Sequence, residues 1–356
     1  MIAGSRARGR LATPGVPAVT PLRLLALRAA RPADFATALS MEANLAVLRT
    51  RDLWAYLERY VMEPIMEMEL EGVTREEVEA MVGILLTNAF EVQVRESLLF
   101  GLFFEPALMN HHCVGNTRLM LDAHHTMTVR QLSSFQHFIF YLHRLPIHQL
   151  TLQVIASLPI KKNCQVKFNY GRALDPTLTR QAMLLENKFF SCGCERCRDP
   201  SELGSHTSTL RCSPPCDGLV LPTSPLAQAP WTCSKCAAER QAAEVAALLA
   251  TVAADMEQLD RNNMKAVKQL LTKFSALLHK NNGVLVELKQ ILVSGIGRLP
   301  GFEMQDLREA DHKEKIVLCD EVLTVLNKVE PGLSLGRGLM LFELHSSVVM
   351  VRSANM

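Results

Sequence analysis

Ten cysteines fall at positions 113, 164, 192, 194, 197, 212, 216, 233, 236 and 319, and seven of them crowd into residues 192–236. Thiolate sulfur is a strong ligand for zinc, which takes four protein donors in a closed tetrahedral site. Cys192-x-Cys194-x-x-Cys197 brings three sulfurs to face one ion and leaves one position to fill. Cys113 and Cys164 are the candidates outside the cluster. Cys113 stands in a polar run, Asn110-His111-His112-Cys113. A second set, Cys212-x3-Cys216-x16-Cys233-x2-Cys236, has the paired spacing of a zinc ribbon. Its ligand count is complete, which predicts a closed structural site with no open position for catalysis.

The rest of the composition says where such sites would sit. Clustered cysteines with no apolar run ahead of a cleavage site read as metal ligands in a reducing compartment, nuclear or cytoplasmic, rather than as disulfides. The 356 residues are 48% hydrophobic and 21% charged, which fits a folded globular chain. Lys plus Arg number 38 and Asp plus Glu 36, a net charge of +2 that gives no field for nucleic acid or an anionic membrane. No nucleic-acid motif is legible, and no apolar run is long enough to predict a membrane span.

The elements that would position these residues follow from periodicity. Residues 1–33 carry six arginines and no acid, a composition shared by mitochondrial presequences and irregular N-termini, and 1–19 are read as disordered. Residues 20–86 read as helical, with Thr74 and Glu77 at capping-box spacing. "TRLMLDA", "HTMTVR" and "QVKFNY" read as short strands, the last ending on Tyr170. Between them, 131–154 is an apolar and aromatic stretch, helix or extra hairpin. The prolines of 190–240 argue against regular structure or an apolar core there, so metal must hold that stretch. From 239 onward, Val245, Leu248, Leu249, Val252, Met256 and Leu259 draw one apolar stripe, and Met264 to Leu278 draw a second. Successive helices with short turns suggest an all-α, tetratricopeptide-like array of hairpins.

Taken in order, "ALMNHHCVGNT", a strand ending "FNY", and "TRQAMLLENKFFSCGCERCRDPSELG" resemble the C-terminal half of a SET domain with its post-SET cysteines. The likeness is to the SMYD family of SET and MYND domain protein-lysine methyltransferases, in its arthropod SmydA-like branch. It implies an α+β fold: a partial SET β-fold over 87–185, a post-SET zinc module over 186–204, a zinc-ribbon-like module over 205–238 and a helical domain over 239–356. It also implies that Cys113 completes the zinc site of Cys192, Cys194 and Cys197. Asn88, Asn110, His111 and Phe190 would hold S-adenosylmethionine, with Phe190 packed on the adenine. Phe90 would line the lysine channel, and Tyr170 would be the catalytic tyrosine.

The resemblance implies two structural zincs, S-adenosylmethionine as cofactor, and a lysine-bearing protein substrate, histone or non-histone. The family's N-terminal SET segment with its Gly-x-Gly loop, and its MYND finger, have no counterpart in these residues. Lys188 stands where other members carry a second active-site tyrosine, His112 replaces a Ser and Gly115 a Pro. Residues 131–154 read as an insertion between strands that the family joins directly. A different class of reading is a non-catalytic, zinc-stabilised interaction protein that holds a partner on its C-terminal helices.

Overall fold

The chain is described from a computed structural model covering residues 19–94, 97–121, 129–130 and 152–353. The expectations for 1–18 and 131–151 lie outside the described residues.

Helices dominate the first described stretch: α1 (Val19–Ala30), α2 (Pro32–Leu39), α3 (Leu45–Leu48), α4 (Asp52–Leu57), α5 (Glu63–Met66) and α6 (Arg75–Asn88). A π-helical turn, Glu58–Met62, joins α4 to α5. The Thr74 hydroxyl accepts the Glu77 N–H at 3.3 Å, so the cap read from spacing forms as expected. Leu24, Phe35, Leu57, Met62, Ile65, Met81 and Val82 make one buried core. α6 packs into this core and ends at Asn88, which sets the start of the next strand at Phe90.

Short strands follow. β1 (Phe90–Val94) pairs antiparallel with β2 (Ser97–Gly101). After α7 (Phe104–Ala107) come β3 (Asn110–His111) and β4 (Thr117–Leu121). β5 (Val129–Arg130) adds to β1. β6 (Leu152–Ala156) pairs with β4, so the last residues of the stretch read as an insertion, 152–154, belong to a strand. β7 (Lys167–Phe168) runs parallel to β3, with Asn110 opposite Lys167 and His111 opposite Phe168.

One expectation needs correction here. The strand in "QVKFNY" stops at Phe168, and Tyr170 lies in the bend beyond it. The cause is Asn169, whose side-chain oxygen accepts the Gly171 N–H at 3.0 Å and turns the chain out of the ladder.

α8 (Thr177–Lys188) and α9 (Glu195–Arg198) bracket the first cysteine cluster. A second correction follows. Residues 190–240 contain a four-stranded antiparallel sheet, β8 (Leu210–Arg211), β9 (Leu219–Pro222), β10 (Trp231–Cys233) and β11 (Glu239–Arg240), in the order β11-β10-β9-β8. The prolines sit in the turns and at the end of β9, where no ladder N–H is needed. Nor is the module without an apolar core. Leu210, Val220 and Trp231 are buried in the same cluster as the C-terminal helices.

Those helices are α10 (Ala242–Gln258), α11 (Met264–Ser275), α12 (Gly283–Gly295), α13 (Glu309–Val329) and α14 (Leu335–Ser353). From α11 onward each packs on the next. Both stripes read from sequence turn inward, with Val245, Val252, Met256, Met264, Val267, Phe274 and Leu278 buried, although Leu277 near the end of the second is exposed. Asn263 and Asn282 cap α11 and α12 with their side chains. The result is the mixed α+β chain expected. No described helix is long and apolar enough to cross a membrane.

Candidate active site

The parallel pairing of β3 with β7 creates the site. The two chains approach so closely that a Cβ on Gly115 would lie 2.7 Å from the Phe168 Cα and 2.9 Å from the Lys167 carbonyl oxygen. A hydrogen at position 115 is what permits this contact. The Asn116 side chain locks the crossing by accepting the Lys167 N–H at 2.8 Å and donating to the Gln165 carbonyl at 2.9 Å.

On one side of the crossing lies a sulfur tetrad. The Sγ atoms of Cys113, Cys192, Cys194 and Cys197 all lie within 4.8 Å of one another. The Cys113 sulfur is 3.9 Å from that of Cys192 and 3.4 Å from that of Cys197. Zinc–sulfur bonds of about 2.3 Å at tetrahedral angles set sulfurs about 3.8 Å apart. The spacing and the all-sulfur donor set therefore fit a zinc ion. Cys164, the other candidate, is exposed and outside the tetrad. Cys212, Cys216, Cys233 and Cys236 form a second tetrad, with sulfur pairs 212–236 and 216–233 each 3.7 Å apart. Its sulfurs accept backbone N–H groups from Gly218 at 3.3 Å and Lys235 at 3.4 Å.

On the other side lies a run of rings. Phe90 is 5.9 Å from both Phe103 and Phe168, centroid to centroid, and Phe168 is 4.7 Å from Tyr170. His111 is 5.1 Å from Tyr170 and 6.0 Å from Phe190. Phe189 ends α8 in the left-handed conformation, φ 61°, which turns the chain so that Phe190 packs against the tetrad.

His111 is the hinge between the two sides. Its Nδ1 accepts the Tyr170 backbone N–H at 3.1 Å, so the ring hydrogen sits on Nε2, 3.3 Å from the Cys113 sulfur. Burial lowers the His111 pKa to about 4, which keeps the imidazole neutral in this arrangement. The Tyr170 hydroxyl donates to the Met109 carbonyl. Burial pushes its pKa up to about 12, so at neutral pH it is a donor and not a base. Lys188 Nζ donates to the Thr87 carbonyl at 2.6 Å and lies 5.9 Å from the Tyr170 ring centroid. Burial lowers its pKa to about 8, so it stays largely cationic at pH 7.

Of the residues read from sequence, Phe90, His111, Tyr170, Phe190 and the first tetrad lie together, whereas the side chains of Asn88 and Asn110 make no contact with them among the described residues. Asn88 spends its side-chain N–H groups on the carbonyls of Glu42 at 2.8 Å and Ile84 at 2.9 Å. Asn110 is exposed at the edge of β3.

No protein-family model matches the chain. Among curated proteins it is 28% identical over 264 residues to the SET domain-containing protein SmydA-8, isoform A, of Drosophila melanogaster, covering 71% of this chain and 50% of that protein. Isoform B matches at 28% over 258 residues, 69% of this chain and 50% of the relative. The chain is thus similar to SET domain-containing SmydA proteins, in line with the resemblance read from its motifs. It spans about half the length of the curated relatives it matches.

Several contacts at this site carried no signal in the sequence. Gln181 clamps Cys192 from both sides, accepting its N–H at 2.8 Å and donating to its carbonyl at 2.6 Å. His112 Nε2 lies 2.9 Å from the Glu195 carboxylate, tying the Asn-His-His-Cys segment to α9. Behind the tetrad, Arg180, Glu202 and Arg196 form a buried charged triad, each at most 1% exposed. Burial works to raise the Glu202 pKa. The two guanidiniums, then Ser208 and Thr207, overcome it and bring the carboxyl down to about 2.

Proposed function

We propose that the chain carries the C-terminal half of a SET-type, S-adenosylmethionine-dependent protein-lysine methyltransferase site. The observation that carries this reading is the convergence of Tyr170, Phe190 and the tetrad on a single imidazole, His111. In this reading the cysteine module of 186–204 is a post-SET lid on the partial SET fold of 87–185. The ribbon of 205–238 and a tetratricopeptide-like helical domain over 239–356 stand behind it.

The cofactor would supply a methyl group made electrophilic by a sulfonium, and everything else falls to the chain. Asn110 and His111 would hold it beside Phe190, whose ring offers a face for the adenine, and Asn88 would approach from the end of α6. Phe90, with Phe103 and Phe168, forms apolar walls that strip water from a lysine side chain. Desolvation disfavours the ammonium and frees the amine lone pair. Tyr170, a neutral phenol held by its backbone to His111, orients the amine and gives proximity rather than covalent catalysis. Zinc in the first tetrad would have four thiolates and no open position, so it would fix the lid and not act as a Lewis acid. A reducing compartment, nucleus or cytoplasm, suits this thiol set.

Calorimetric titration with S-adenosylmethionine tests the reading. Stoichiometric binding that Phe190→Ala weakens would support it, and no binding by the chain would remove intrinsic catalysis. A second reading, a zinc-stabilised protein-interaction module, draws support from α14. Leu335 (65% exposed), Leu339, Phe342 (62%) and Val349 recur at helical spacing on its outer face. Tyr170→Phe discriminates: it abolishes methyl transfer in the first reading and leaves partner binding untouched in the second.

A further inference from the structure

The two sulfur tetrads differ in what stands behind them. Arg180, 1% exposed, points its Nε at the Cys113 sulfur, 3.2 Å away, and its Nη2 at the Cys197 sulfur, 3.7 Å away. Its remaining donors reach Glu202 at 2.8 Å, Thr177 Oγ1 at 2.9 Å and the Asp175 carbonyl at 2.5 Å. Glu202 is shared, because Arg196 reaches the same oxygen from 2.9 Å. Two guanidiniums against one carboxylate leave one buried positive charge over. The half-buried Asp175 carboxylate pairs with Arg172 at 3.9 Å and acts on Arg180 and Arg196 through space without a salt bridge to either. A buried surplus charge is costly unless a partner lies beside it. The partner in contact is sulfur. Four thiolates around a divalent ion carry two surplus negative charges, in a buried place where water cannot screen them.

The second tetrad has no such device. Among the described residues no guanidinium donates to its sulfurs. Cys236 is exposed, and Cys212 and Cys216 are partly exposed. The nearby Lys235 ammonium is paired with Asp217 at 2.5 Å.

We propose that Arg180 is a positioning residue of the first tetrad, neutralising its thiolates and making it the tighter and slower-releasing of two zinc sites. The inference rests on the reading of both tetrads as zinc sites. Outer partners of metal ligands typically change metal affinity by about 10- to 100-fold. Glu202 and Arg196 fix the Arg180 fork so that its N–H groups meet sulfur without further ordering. This also explains a buried arginine in a short amphipathic helix that would pack more simply with a leucine.

The experiment is zinc release from the full chain into a coloured chelator. The wild type is expected to hold two zincs and to release them in two phases, with Cys212→Ser abolishing the fast one. Arg180→Met should accelerate the slow phase by about 10- to 100-fold and leave the fast phase unchanged. Arg180→Lys, which restores the charge without the fork, should recover part of the loss. In cobalt-loaded protein Arg180→Met should move the sulfur-to-metal charge-transfer band to longer wavelength, because thiolates that lose an N–H donor give up electrons more readily. A preserved fast phase certifies that the variant is folded. Two zincs with a slow phase unchanged in both variants would overturn the role of Arg180 alone. A wild-type chain whose first tetrad holds no zinc would overturn the zinc reading and the inference with it.

Discussion

The backbone N–H of Tyr170 is bonded to His111 Nδ1 at 3.1 Å, and the opposite nitrogen of the same ring lies 3.3 Å from the Cys113 sulfur. One neutral imidazole therefore couples the position of the phenol to the position of the tetrad. Anything that displaces Cys113 displaces Tyr170 through it.

The phenol itself stands apart from this link, since its hydroxyl donates to the Met109 carbonyl. Tyr170→Phe should leave zinc content unchanged and cost about 1 kcal/mol of stability, the net worth of one hydrogen bond. Methyl transfer, where present, should fall by about a hundredfold or more through lost orientation. Urea unfolding and a radiolabel assay read the two effects separately. A larger fall in stability than in activity would make the hydroxyl a packing group.

Gly115 is the tightest point of the crossing. Gly115→Ala places a methyl group against the Phe168 backbone, which cannot yield as a side chain does. Overpacking of this kind costs roughly 1–3 kcal/mol. Denaturant midpoints should fall accordingly, whereas Gly193→Ala, where an added Cβ meets nothing within 4 Å, should be near neutral. Equal effects at both positions would contradict the close approach of β3 and β7.

Much of the site was legible because sulfur ligation imposes spacing. Cys192, Cys194 and Cys197 lie within six residues at the entry to α9, and Cys212 to Cys236 supply a complete set. The fourth ligand of the first set was not legible from spacing, which left Cys113 and Cys164 open. Folding decides it, because the β3–β7 crossing carries Cys113 inward while Cys164 stays exposed. Arg180, Glu202 and Gln181 were invisible for a related reason. Neither the helix that carries Arg180 and Gln181 nor the turn that carries Glu202 imposes a pattern on which polar residues face inward. The β8–β11 sheet was hidden by prolines that fall in its turns, and by strands too short to show alternation. The C-terminal helices were plain, since long amphipathic helices repeat their stripe over several turns.

Acid should weaken the contact between the cysteine modules and the helices. The His279 and His206 rings lie 4.8 Å apart, tilted at 53°, where residue 209 meets the start of α12. Burial, then the neighbouring His206, Lys280, Arg211 and Lys289, lowers the His279 pKa to about 4. Unfolded His titrates near 6.5. Between these values the unfolded chain binds more protons, so stability is full above about pH 6.5 and is lost as pH falls toward 4. Melting temperature should drop across that window, and His279→Gln should flatten part of the slope. A slope identical to wild type would rule His279 out.

Lys188 places a cation over the face of Tyr170. Should the sulfonium bind beside Tyr170, a like charge about 8 Å from it would disfavour it by about 2 kcal/mol at an effective dielectric near 20. Lys188→Gln should therefore raise affinity for S-adenosylmethionine relative to its neutral thioether product by on the order of tenfold. The ratio of the two Kd values, measured by calorimetry, reads this directly. An unchanged ratio would place Lys188 outside the cofactor's field.

The account depends most on Cys113 and the trio Cys192, Cys194 and Cys197 sharing one ion. Zinc per chain, measured by native mass spectrometry on the wild type, Cys113→Ser, Cys212→Ser and the double variant, tests this. The expected counts are about two, one, one and none, the four-thiolate requirement of each closed site. A Cys113→Ser protein that keeps both zincs would contradict the shared site and the coupling of Tyr170 to it.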